Sequence, residues 1–123
     1  MTPTAGKSTV LEVTGGAADR AMTRIDQIKK MLHIAPEDVF LNFSLAMEYE
    51  SAGQTDEALR QYDRTIELDE NYLTAHVRKG RLLVSNHRLA EAREVLSRAA
   101  EVARAAGDTH MLDTVNQMLS HFP

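Results

Sequence analysis

Three pairs of adjacent acids could do chemistry: Glu37-Asp38, Asp56-Glu57 and Asp69-Glu70. Neighbouring carboxylates can act as general acid and base when a reacting group lies within hydrogen-bond reach. Here each pair falls at an expected helix end, and no nucleophile–base pair accompanies it. Helix-end electrostatics and solvation account for all three. The five histidines are scattered. His110 and Asp113 share a helix face and could offer two ligands to a metal, but the spacing supplies no third. Gly6-Lys7-Ser8 matches the end of a phosphate-binding loop. That loop needs a glycine five residues earlier and a preceding strand. Met1 stands at that place. The chain has no cysteine, which excludes a disulfide, a thiolate metal site and a cysteine nucleophile. The sequence therefore reads as a non-enzyme, with no catalytic residue, cofactor or metal.

Composition narrows the class further. At 123 residues the chain should form one domain. Apolar residues make up 43% and charged residues 26%, with no tryptophan. A core built from Leu, Ile, Val, Met and Ala suits helices. A net charge of −4 gives no bulk attraction to nucleic acid. No apolar run approaches a membrane span, and no secretory leader is visible. A cytoplasmic location is the expectation.

Residues 1–16 are rich in Thr and Gly, lack a helical period and are read as a disordered tail. From 17 onward apolar residues recur at helical spacing. Met22, Ile25, Ile28, Met31 and Leu32 predict a helix over 17–35, stopped by Pro36. Further helices are expected at 37–52, 55–69, 72–86 and 89–106. Thr55 is the expected cap of the second of these, Asn71 that of the third, and Gly53 and Gly107 are the expected stops. The turn at Asn86-His87-Arg88 has no glycine. A last helix, about 109–121, carries Met111, Leu112, Val115, Met118, Leu119 and Phe122 on one stripe, with Asp108 as its cap.

The stretch from Val39 to Ala106 contains one pattern twice. A slide of 34 residues lays Ser51 on Ser85, Glu57 on Glu91, Ala58 on Ala92, Arg64 on Arg98 and Glu67 on Glu101. Ala46 then falls on Gly80 and Tyr62 on Leu96. Small residues at a fixed place let two helices approach closely, so Ala46 should face Ala58 and Gly80 should face Ala92. Shifted back one period, Ile28, Met31 and Ile34 match Tyr62, Thr65 and Leu68.

These residues resemble the tetratricopeptide repeat family, whose pattern is roughly W-x2-L-G-x2-Y, then A-x3-F, then P over 34 residues. The first copy reads Asn42-x2-Leu45-Ala46-x2-Tyr49 and Ala58-x3-Tyr62. The second reads His76-x2-Lys79-Gly80-x2-Leu83 and Ala92-x3-Leu96. Neither copy has the Trp, and Glu70 and Arg104 replace the closing Pro. The resemblance implies an all-α, right-handed superhelix of antiparallel hairpins with about six helices. Its parts would be a partial repeat at 17–35, repeats at 39–72 and 73–106, and a capping helix at 108–122. The run Ala100–Asp108 makes it similar to small stand-alone bacterial members.

The resemblance also implies a protein or peptide ligand in a concave groove lined by the first helix of each hairpin. By register, Phe40, Phe43, Met47 and Glu50 should face it from one repeat. Thr74, Val77, Arg81 and Val84 should face it from the next, with Arg78 at the rim. Phe40 and Phe43 are expected to be surplus to packing. Phe43 and Met47 stand where some members carry a Lys/Asn carboxylate clamp, so that clamp is absent. Charge divides between the copies. From Pro36 to Tyr72 ten acids face two arginines, net −8; from Leu73 to Ala106 seven bases face three acids, net +4. That division fits solubility and pairing between neighbours, a bipolar partner surface, or head-to-tail self-association into a homo-oligomer.

Overall fold

The computed structural model describes residues 16–123, with side chains from Arg24 onward. Residues 1–15, on which most of the tail expectation falls, lie outside the described residues, as does the side chain of Met22. Gly16 already belongs to the first helix. Six helices follow in order: α1 Gly16–Ile34, α2 Val39–Ser51, α3 Thr55–Leu68, α4 Leu73–Ser85, α5 Leu89–Ala106 and α6 Thr109–Ser120. No strand occurs among the described residues. No described helix is long and apolar enough to cross a membrane. Each helix packs on its neighbours in sequence, as expected of stacked hairpins.

The two copies of the pattern build the same turn. After α2, Gly53 takes a left-handed φ of +76°. The Gly53 N–H donates to the Glu50 carbonyl at 3.0 Å, and that of Gln54 to Tyr49 at 2.9 Å. This paired closure is the Schellman motif, which satisfies carbonyls that the helix end leaves orphaned. One period later His87 stands at φ +60°. Its N–H donates to Val84 at 3.0 Å, and that of Arg88 to Leu83 at 2.9 Å. A side chain at positive φ is disfavoured by its Cβ, so the second turn is strained where the first is relaxed.

The caps differ in part from expectation. Asp108 caps as expected, accepting from the Met111 N–H at 3.0 Å, and Asp38, expected inside the first turn of its helix, is instead the cap, accepting from the Leu41 N–H at 2.9 Å. Thr55 and Asn71 do not. Gln54 and Tyr72 hold the cap positions without a side-chain bond. The tight closure at Gly53 delivers the chain into α3 one residue early, so Thr55 already lies in the helix. Asn71 instead lends its backbone N–H to Asp69 at 3.0 Å.

The close helix crossings occur at small residues. Ala46 on α2 and Ala58 on α3 have no exposed surface. In the second hairpin Gly80 is buried, and a Cβ placed on it would lie 2.5 Å from Leu96 Cδ2 and 2.8 Å from Cγ. The expected partner was Ala92; the side chain that fills the space is Leu96, one turn further along α5. Tyr62, Leu83, Leu96 and Val115 are the largest fully buried side chains. Val115 brings α6 into the core, where it packs with Val77, Leu96, Ala99 and Ala100.

Candidate protein-interaction surface

The residues expected to line a groove divide into two groups. Phe43 is only 6% exposed. Its ring tilts against Tyr62 at 6.0 Å and Tyr72 at 5.1 Å between centroids. The expectation that Phe43 is surplus to packing is thus corrected: aromatic residues of the next two segments close over it. Val77 is also corrected, being buried between α5 and α6. Neither can meet a ligand without rearranging the core. Phe40 stands 63% exposed, one turn nearer the start of α2 and beyond the reach of those rings. Met47 and Val84 are half-buried against the core. Thr74, Arg78 and Arg81 are exposed.

Glu50 and Arg78 come together through Tyr62. The Tyr62 hydroxyl donates to Glu50 Oε1 at 2.6 Å, and the Arg78 guanidinium approaches the same hydroxyl. Burial first, then the bond to Glu50, raises the Tyr62 pKa above its ordinary value; Arg78 opposes that shift. The network ties α2, α3 and α4 together, and it holds Glu50 in place rather than leaving it free to recognise a ligand.

Arg81 and Val84 border a cavity of about 440 Å³. Its remaining walls are Ser85, Leu89, Met118, His121, Phe122 and Pro123, so it lies between α4, the start of α5 and the end of α6. Leu89 is 43% exposed there. Sequence reasoning placed Met118 and Phe122 on a packing stripe and assigned Leu89 no role. The signal was present in the register, since any helix stacked on α4 must line the same face. A depression of this size, mostly apolar with one cation at its edge, suits an apolar side chain beside an acid.

The charges confirm where a cation is available. Asp63 pairs with Lys79, Asp56 with Arg88 at 3.8 Å and Glu70 with Arg98 at 3.3 Å. The opposite charges of the two repeats therefore meet inside one molecule, from α3 and the turn after it to α4, α5 and the residue before α5. These pairs are largely exposed and individually weak, but they reduce what remains for outside partners. Arg78 and Arg81 have no carboxylate within 4.0 Å among the described residues. The acid pairs have structural uses as well: Asp38 caps, Glu57 bonds Arg60 at 2.6 Å, and Asp69 holds the turn before α4. Among the described residues no group of three His, Cys, Asp or Glu could hold a metal ion.

Comparison with known proteins fits this geometry. A family model for the tetratricopeptide repeat matches residues 49–112, just over half of the chain. Among solved structures, the chain is similar to the TPR2B domain of yeast Sti1 in a complex with an Hsp70 peptide. That match has 19% identity and a TM-score of 0.74, covering 94% of this chain and 93% of the other. It is also similar to PcrH in complex with the chaperone-binding region of PopD, at 16% identity and TM-score 0.74, covering 98% and 91%. The Yersinia enterocolitica type III secretion translocator chaperone SycD matches at 17% identity and TM-score 0.73, covering 98% and 83%. No match is found among curated protein sequences.

Proposed function

Because the chain belongs to the tetratricopeptide repeat family, we propose that it is a non-enzymatic module that holds another protein through an apolar segment carrying negative charge. The observation that carries this reading is the cavity between α4 and α6, with Arg81 at its rim. An apolar side chain entering it would touch Val84, Leu89, Met118 and Phe122 while an adjacent carboxylate met Arg81. Arg guanidinium binds carboxylates in a fixed fork, and Arg81 has no carboxylate of its own within 4.0 Å among the described residues. Relatives of this fold bind protein segments: the yeast Sti1 domain is in complex with an Hsp70 peptide, and PcrH with a region of PopD.

The test is selection from a random peptide library, followed by calorimetry on the selected peptides. Acids next to Leu, Ile, Met or Phe should dominate the selection. Arg81→Glu and Leu89→Asp should each weaken binding about tenfold or more, which is at least about 1.4 kcal/mol. Both side chains are exposed, so folding should survive. Arg64→Glu on α3, far from the cavity, serves as the control. Selected peptides without acids, or affinity unchanged by both variants, would remove the site from this face.

A further inference from the structure

The chain leaves α6 by a different path from the one it takes after α2 and α4. There the N–H groups of Gln54 and Arg88 reach back to the carbonyls of Tyr49 and Leu83, and the next helix begins at once. In the 34-residue register Phe122 stands at the corresponding place after α6. Its N–H donates instead to the Leu119 carbonyl at 3.1 Å. The chain then lies back over the start of α5, where Arg93 holds it. The Arg93 guanidinium carbon is 5.6 Å from the centre of the Phe122 ring, and Nη2 donates to the main-chain oxygen of Pro123.

Phe122 is half-buried at the edge of the core, unlike Val115, which is sealed within it. Together with Pro123 it forms a wall between two depressions. One is the α4–α6 cavity with Arg81 at its rim. The other, about 380 Å³, is lined by Leu89, Ala90 and Arg93 and by the same Phe122 and Pro123. Leu89 also belongs to both. With the two tail residues lifted, the depressions would join into one trough running from Arg81 to Arg93 past Leu89. Arg93 is exposed and has no side-chain carboxylate within 4.0 Å among the described residues.

We propose that Phe122–Pro123 is a displaceable strap, and that the ligand site continues beneath it to Arg93, a second carboxylate-binding residue. This rests on the α4–α6 cavity being where the ligand binds. The strap itself displays what the covered part accepts: an aromatic ring under a guanidinium, followed by an oxygen acceptor. The ligand is therefore a segment with an apolar and an aromatic residue between two acids, one for Arg81 and one for Arg93. The apolar side chain enters the cavity and the aromatic ring takes the place of Phe122. Arg93 meets Pro123 through a single nitrogen, whereas a carboxylate engages a guanidinium by two parallel bonds. That difference favours exchange of the strap for the ligand. With few buried apolar contacts the strap opens without unfolding its neighbours. A strap closed about nine-tenths of the time lowers the apparent affinity about tenfold.

Calorimetry of the library-selected peptides on the full chain reads the strap. The peptides should carry an acid on each side of their apolar residues. Phe122→Ala should bind them about three- to tenfold tighter than wild type. In that variant, changing the peptide acid on the aromatic side to its amide should cost about tenfold, and adding Arg93→Gln should abolish most of that loss. Because Phe122→Ala also removes a contact at the edge of the core, a second variant leaves the core alone. Ala90→Cys with Pro123→Cys places two thiols on exposed residues lining one depression, in a chain with no other cysteine. Joining them within one molecule by a short cleavable cross-linker closes the strap and should weaken binding about tenfold; cleavage should restore it. Affinity indifferent to the cross-link, or selected peptides with one acid only, overturns the strap while Arg81→Glu and Leu89→Asp still weaken binding. Loss of those two effects overturns the cavity, and the strap with it.

Discussion

Replacing Gly80 with alanine sets two effects of known size against each other. In an isolated helix the change should stabilise by about 1 kcal/mol, because glycine loses more backbone freedom. In this chain the new methyl group would sit 2.5 Å from Leu96 Cδ2 and 2.8 Å from Leu96 Cγ. Ordinary carbon contacts lie near 3.5–4.0 Å. Turning χ2 of Leu96 could move the Cδ atoms, but Cγ moves only with χ1 or the backbone. Leu96 has no exposed surface and packs with Val77, Ala99 and Val115, so it has no free space to enter. Overpacking of this kind costs about 1–3 kcal/mol. The net expectation is a destabilisation of about 0–2 kcal/mol, read as a lower urea midpoint at unchanged slope. The decisive measurement is a double-mutant cycle with Leu96→Ala. Alone, that change should cost about 2–5 kcal/mol. In the Gly80→Ala background the cavity it leaves accepts the new methyl group, so it should cost about 1–3 kcal/mol less. If Gly80→Ala instead gains the full helix propensity, or the two changes add to within about 0.5 kcal/mol, the assumed contact is wrong.

Three further outcomes follow from the same geometry. His87→Gly should stabilise the chain by about 0.5–1 kcal/mol in urea, since it removes a Cβ from a φ of +60°; an equal loss would show that the imidazole makes a compensating contact. A chain ending at Gly107 should lose its cooperative melt or melt about 10 °C lower, because Val115 is fully buried and its removal bares Leu96 and Val77. In alkali, neutral Tyr62 is favoured by folding, so its contribution is fully present below pH about 10 and is lost as pH rises toward its elevated folded pKa. The stability gap between wild type and Tyr62→Phe should therefore narrow above pH 10 by up to about 1.4 kcal/mol per pH unit; a gap constant from pH 8 to 11 would contradict the burial of this phenol.

Much of the fold was legible in the sequence because it rests on local periodicity. The 34-residue repeat, the helical spacing of apolar residues and the stops at Pro36, Gly53 and Gly107 express short-range physics: side-chain direction on a helix and the conformational freedom of single residues. The same register carried Arg81 and Val84 to the face where the cavity lies. What the tertiary structure decided was which side of each helix is covered, and by what. Phe40 and Phe43 share a helix and a spacing, yet Phe43 is closed over by Tyr62 and Tyr72 while Phe40 stands in water. Val77 is buried because α5 and α6 both pack on it. The partner of Gly80 proved to be Leu96 rather than Ala92, since the helix crossing depends on an interaxial geometry that spacing along one chain does not encode. The charge division between repeats was visible as a count, but three of its pairs form within the molecule, between residues distant in sequence. Periodicity fixes the face a residue occupies; only packing in three dimensions decides whether that face meets protein or water.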